Sequence, residues 1–186
     1  VRLTLANTGG VLLSLEANET IGNLSGGGVT GGNLALGSNT LILGDAIDTE
    51  FAGVISGSGG LTKVGSGTLT LSGANTFSGA VSVLGGVLRI GNTSISGSVA
   101  ANIVNNSTLV FDRSADLDYS GVISGSGALV QRGTAVLTLS GNNTYTGITT
   151  VESGTLALAG GSALLGSAAV VLADNAGAVL RLNASQ

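Results

Sequence analysis

The sequence predicts an all-β chain wound as a single-stranded parallel β-helix, a right-handed solenoid of about 8–9 rungs. Three observations predict it: a long internal repeat, a Leu-x-Leu pair that recurs along the chain, and a composition that leaves only aliphatic side chains to build a core. The repeat appears when the 186-residue chain is slid by 68 positions, which lays residues 39–91 over 107–159 without a gap. "GVISGSGGL" at Gly53 falls on "GVISGSGAL" at Gly121, and "GTLTLSGANTFSG" falls on "AVLTLSGNNTYTG". Partial copies stand at both ends, "RLTLANTGG" near the start and "AAVVLADNAGAVLRL" from Ala168, so 1–186 reads as one continuous segment.

The Leu-x-Leu pairs are the strands. They include Leu3/Leu5, Leu13/Leu15, Leu34/Leu36, Leu41/Leu43, Leu69/Leu71, Leu88/Ile90, Leu109/Phe111, Leu137/Leu139, Leu156/Leu158 and Leu180/Leu182. Period-two alternation sends the paired apolar residues one way and Thr68, Thr70, Arg89 or Arg181 the other. From Leu41 the spacings are 28, 19, 21, 28, 19 and 24, and the first three together make the repeat of 68. Gly, Ser and Asn fill the intervals, leaving no room for helices; the one weak candidate, "GGSALLGSAA" at 160–169, is broken by glycine and serine. A coil of about 20 residues per rung stacks each strand about 4.8 Å from the next. An antiparallel sandwich would advertise Asn-Gly or Asp-Gly hairpins, and the chain has neither.

Within the repeat, "GVISGSGGL" reads as strand, tight turn, strand, with glycines at the corner. It is not a phosphate loop, since no Gly-Lys-Ser/Thr follows and Lys63 becomes Gln131 in the second copy. Asn75 and Asn143 fall where turns are expected, placed for hydrogen bonds from rung to rung.

Composition narrows the function classes. Hydrophobic residues are 43% of the chain, aromatics 3% and charged residues 9%, so hydroxyls and amides must solvate the surface. Six Lys and Arg with a net charge of −4 leave no basic stripe for nucleic acid. No apolar run approaches the roughly 18 residues that membrane insertion needs. With neither Cys nor His, nucleophilic triads and the usual zinc sites cannot be assembled. The chain starts at Val1 without a signal peptide and is expected to be either a processed product or a piece of a larger protein.

The two copies, "GVISGSGGLTKVGSGTLTLSGANTFSGAVSVLGGVLRIG" and "GVISGSGALVQRGTAVLTLSGNNTYTGITTVESGTLALAG", closely resemble the autotransporter-associated β-strand repeat, or passenger-associated transport repeat. The family pattern runs G-x-I-S-G-x-G-x-L, then L-T-L-S-G-x-N-T-[YF]-x-G, then G-T-L; the first copy departs from it with Val87 where the second has Thr155. The resemblance implies a secreted or surface-displayed type V passenger, exported through the translocator β-barrel of its parent chain and folding outside the cell. A non-enzymatic stalk that supports export and adhesion follows from it, with the host surface or another copy, met through the β-helix ends, as partner.

The rival reading is a β-helical polysaccharide-degrading enzyme, resting on the acids Asp112, Asp116 and Asp118 and on Asp45, Asp48 and Glu50. Only Asp48/Asp116 and Glu50/Asp118 keep their sign between copies. Stacked three layers apart, they would be about 14 Å from one another, too far for a shared site. Solvated turn carboxylates are the expectation, with no cofactor and no metal. Phe51, Phe77, Tyr119 and Tyr145 occupy equivalent positions and are expected as an aromatic stack beside the turns rather than a sugar platform. The sequons at Asn18, Asn92 and Asn106 are what an Asn-, Ser- and Thr-rich chain produces by composition.

Overall fold

Alternating Leu-x-Leu stretches become three- to five-residue strands, and the computed structural model pairs them in parallel, in register, one turn upon the next. The structure describes residues 1–94, 96–159, 164, 166–167, 169–174 and 177–183. Among these no helix occurs, and the one antiparallel bridge, Gly28 with Gly31, closes a corner. Most of the weak helical candidate at 160–169 lies outside the described residues, as does Ala168. Strands Val170–Leu172 and Ala178–Leu182 carry the rest of the C-terminal echo.

The coil has three faces. The first is a nine-stranded sheet from Arg2–Leu5 to Val170–Leu172, one strand for each turn. The second begins with Leu12–Ser14, Asn33–Ala35 and Ile55–Ser56. It continues as irregular coil through Thr76 and Ser98, which still bond to the turn before, and resumes as four strands from Leu117–Tyr119 to Ala178–Leu182. The third face is six-stranded, from Glu19–Ile21 to Ile123–Ser124.

The faces explain the repeat and correct one expectation drawn from it. Leu69, Leu88 and Leu109 stack on the first face. Leu137, Leu156 and Leu180 stack on the second, and Leu41, Leu61 and Val81 on the third. Pair spacings of 19–24 residues are therefore one turn, and spacings of 28 are one turn plus one face. A shift of 68 is three turns and one face more. Thr49–Phe51 lies on the first face and its equivalent Leu117–Tyr119 on the second, so the two copies do not stack on their own counterparts. A three-sided coil asks every face for the same thing, an inward-outward alternation. A given strand sequence is then satisfied on any of them.

Leucine, isoleucine and valine fill the interior, and the Leu-x-Leu pairs between Leu34 and Leu156 bury nearly all their side-chain surface. Each buried leucine contributes about 2 kcal/mol of hydrophobic stabilisation. The column opens at both ends: Leu3, Leu13 and Ile21 are only partly covered, and Leu182 is 72% exposed.

Candidate functional site

The acids singled out in the sequence serve the coil. Asp48 Oδ1 accepts the amide of Thr68 at 2.7 Å, and Asp116 Oδ1 accepts the amide of Val136 at 2.9 Å. Glu50 Oε1 accepts the Ser72 hydroxyl at 2.6 Å, and Asp118 Oδ1 that of Ser140 at 2.8 Å. Each copy thus ties one turn to the next with the same two contacts. The expected three-layer stacking of these acids is replaced by separation onto two faces. Asp45 holds its own corner through the Ile47 amide at 2.8 Å; that bond, aided by Asn23 and Arg2 against some desolvation, lowers its pKa. Among the described residues no three His, Cys, Asp or Glu side chains converge to hold a metal ion.

The asparagines bond from turn to turn, but through backbone rather than through each other. Asn75 Oδ1 accepts the Ile55 amide at 2.9 Å, and Asn143 Oδ1 the Ile123 amide at 2.8 Å, on different faces. Exposed Asn18, Asn102 and Asn106 accept amides of the following turn in the same way. Side-chain oxygens take over at corners where the strand ladder stops.

The aromatics are core residues, neither a sugar platform nor a stack beside the turns. Phe51, Phe77, Tyr119 and Tyr145 are all buried. Tyr119 donates to the Ala101 carbonyl at 2.6 Å and packs tilted against Phe111 at a centroid distance of 5.5 Å. Burial raises the pKa of both tyrosines, that of Tyr145 to about 12 despite its 2.6 Å hydroxyl contact with Thr149.

The glycine phrase makes room for these rings. A methyl group on Gly53 would sit 2.1 Å from the Gly32 carbonyl oxygen and 2.7 Å from Phe51 Cζ, and one on Gly121 would sit 2.7 Å from the Tyr119 hydroxyl. Gly57 and Gly125, the next glycines of the phrase, turn the corner at φ +113° and +101°.

Lys63, read in the sequence only as a variable position, is 1% exposed. Its ammonium donates to the carbonyls of Val64, Gly65 and Gly85 at 2.6, 3.0 and 3.1 Å. Desolvation lowers its pKa, with Asp45 and Asp48 opposing. Gln131, its counterpart, is also buried and donates to Gly133 and Ala135 at 3.0 and 3.2 Å. Both positions hold an inward polar side chain that satisfies corner carbonyls, a role that the Lys-to-Gln exchange hints at because both are long donors.

Charge collects on the outer side of the nine-stranded face. Arg89, which alternation sends outward, pairs through Nη2 with Oδ2 of the fully buried Asp112 one turn on; Arg89 Nε and Asp112 Oδ1 have no hydrogen-bond partner among the described residues. Arg132 grips Glu152 at 2.6 and 3.2 Å, which raises the arginine pKa and lowers that of the glutamate. At the other end Arg2 stands 3.8 Å from Asp45. Between them runs a groove of about 520 Å³, walled by Asp48, Glu50, Arg89 and Arg132 and floored by Val110 and Val130.

A family model, the passenger-associated-transport-repeat, matches residues 61–90 and again 129–158. The chain carries two passenger-associated-transport-repeats. Over 72 residues, 37% of its length, it is 42% identical to the adhesin BmaC autotransporter of Brucella suis biovar 1 (strain 1330). It spans 2% of that protein. No solved structure matches the chain. Each repeat makes one turn and one face: the first opens on the third face with Leu61–Lys63 and closes on the first with Val87–Ile90. The second opens on the first face with Ala128–Gln131 and closes on the second with Gly154–Leu158.

Proposed function

We propose that residues 1–186 form one continuous stretch of an autotransporter passenger, a non-enzymatic β-helical stalk that supports export and belongs to an adhesive surface protein. The observation that carries it is the pair of transport repeats folded into a dry parallel solenoid. A coil of this kind grows by adding one turn to the last, so it can fold progressively as the chain emerges at the cell surface. Its partner during export is the translocator barrel of the parent chain, and its destination is the outside of the cell. The name of the Brucella relative is the support for adhesion.

The open mouth at the N-terminal turn, lined by Leu3, Leu13 and Ile21, is covered in this reading by further turns of the parent chain, with end-to-end contact between copies as the alternative cover. A polysaccharide-degrading reading finds no support in acids that are each engaged by a turn-to-turn hydrogen bond, a corner amide or an arginine, and in aromatics that lie inside. Deleting residues 61–128 from the parent protein removes one repeat. Surface display measured by antibody labelling is expected to fall while the remaining coil stays folded; undiminished display would sink the export role.

A further inference from the structure

We infer that the glycine-rich corner between the first and second faces of the second turn is a proteolytic clip: an elastase-type serine protease cuts its Val29–Thr30 bond first, and the cut coil stays assembled. The corner runs from Gly27 to Gly32, between strands Asn23–Gly26 and Asn33–Ala35. Gly28 and Gly31 form the one antiparallel bridge among the described residues, and Val29 and Thr30 are the turn that projects from it. Val29 is fully exposed, and its own amide and carbonyl make no hydrogen bond among the described residues.

A protease needs a segment that can lift off the surface and extend in its cleft. Opening this corner breaks the Gly28–Gly31 bridge and the grip of Asn7, whose Oδ1 accepts the Thr30 amide at 3.1 Å and the Thr30 hydroxyl at 2.8 Å. It uncovers no apolar side chain, because Val29 is already in water and the rest of the corner is glycine and threonine. Other exposed aliphatic side chains sit on backbone tied to neighbouring turns. Val104 lies in a strand paired on both sides, the Leu84 amide donates to the Lys63 carbonyl, and the Ile148 carbonyl accepts from Leu129. The exposed corner at Thr93 is likewise held, by Asp112 and, through Ser94, by Ser114. The small specificity pocket of an elastase-type enzyme takes a side chain the size of valine. The aromatics that a chymotrypsin-type enzyme requires, Phe51, Phe77, Phe111, Tyr119 and Tyr145, are all buried. Water adds across the bond, leaving a carboxylate on Val29 and an ammonium group on Thr30. Residues 1–29 then stay docked. Leu12–Ser14 remains paired with Asn33–Ala35 and Glu19–Ile21 with Leu41–Leu43, and Leu24 remains fully buried.

The clip goes beyond the export and adhesion readings and depends on neither. The 186-residue chain is digested with pancreatic elastase, and the earliest cut within residues 1–159 is identified by N-terminal sequencing and mass spectrometry. The first products are expected to end at Val29 and begin at Thr30, and gel filtration is expected to return them together at the elution volume of the uncut chain. Val29→Asp, which puts a charge into the apolar pocket, is expected to slow that cut about tenfold or more. Val29→Phe is expected to make the same bond the first cut by chymotrypsin. Asn7→Ala, which releases Thr30, is expected to speed the elastase cut about tenfold, because cleavage follows the population of the open corner. Thermal melts establish that each variant is folded. Should the first cut fall at another bond of residues 1–159, should Val29–Thr30 survive an elastase dose that degrades casein, should any of the three variants be cut as the parent chain is, or should the fragments separate, the assignment is overturned.

Discussion

At the scale of single residues the fold is governed by what each corner needs. Lys63 and Gln131 fill equivalent places with different chemistry, and the structure sets their costs apart. Desolvation lowers the Lys63 pKa below its ordinary 10.5, so the unfolded chain holds this proton more tightly than the folded one. Stability therefore rises with pH from the lowered value up to 10.5 and is diminished below it. Lys63→Gln removes that desolvation penalty, so any gain in stability it brings at neutral pH is expected to shrink as pH approaches 10.5. Urea titrations of both proteins across that range check it. The tyrosines act in the opposite direction. Tyr145 keeps its proton to about 12 when folded, so its contribution is complete below pH 10 and lost as pH climbs through 12. Tyrosine absorbance is expected to report ionisation together with unfolding in that window, and a free titration near pH 10 in the folded state would contradict the burial. Gly53→Ala should cost about 1–3 kcal/mol by driving a methyl group into the Gly32 carbonyl of the turn before, 2.1 Å away, and Phe51→Leu in the same chain should recover little of it, which denaturant midpoints of the single and double variants check.

At the scale of strands, stability comes from columns rather than from any one contact. Leu88 lies between Leu69 and Leu109 with no exposed surface. Leu88→Ala is expected to cost about 2–5 kcal/mol, because rigid turns above and below cannot collapse into the cavity. Asp112→Ala should cost a comparable ~3–5 kcal/mol for a different reason: it strands the Arg89 guanidinium, whose partner is fully buried. Denaturant midpoints measure both. Glu152→Ala, at an exposed pair, should change the midpoint by under about 1 kcal/mol.

At the scale of the whole molecule, the relation between repeat and turn makes an unusual forecast about deletions. Removing residues 61–128 takes out 68 positions and sets each downstream strand where its own equivalent had been, one face round. The shortened chain is expected to fold cooperatively, with a urea m-value lower by about a third in proportion to the surface it no longer buries. Removing residues 61–70, about half a turn, leaves strands facing corners and is expected to abolish the cooperative transition. Circular dichroism and urea melts separate the two.

Much of this was legible in the residues themselves. Period-two leucine pairs, the 68-residue repeat and the scarcity of aromatics determine a parallel coil of about 20 residues per turn, because alternation and spacing are local properties of the chain. The number of faces was not legible, since a strand carries the same pattern whichever side it occupies. Only the tertiary structure decided that Asp48 and Asp116 point from different faces, that Phe77 and Tyr145 lie inside, and that Lys63 caps carbonyls of its own and the following turn. Those outcomes depend on where the coil closes after three turns and a face, a sum over every corner that no single stretch of sequence contains.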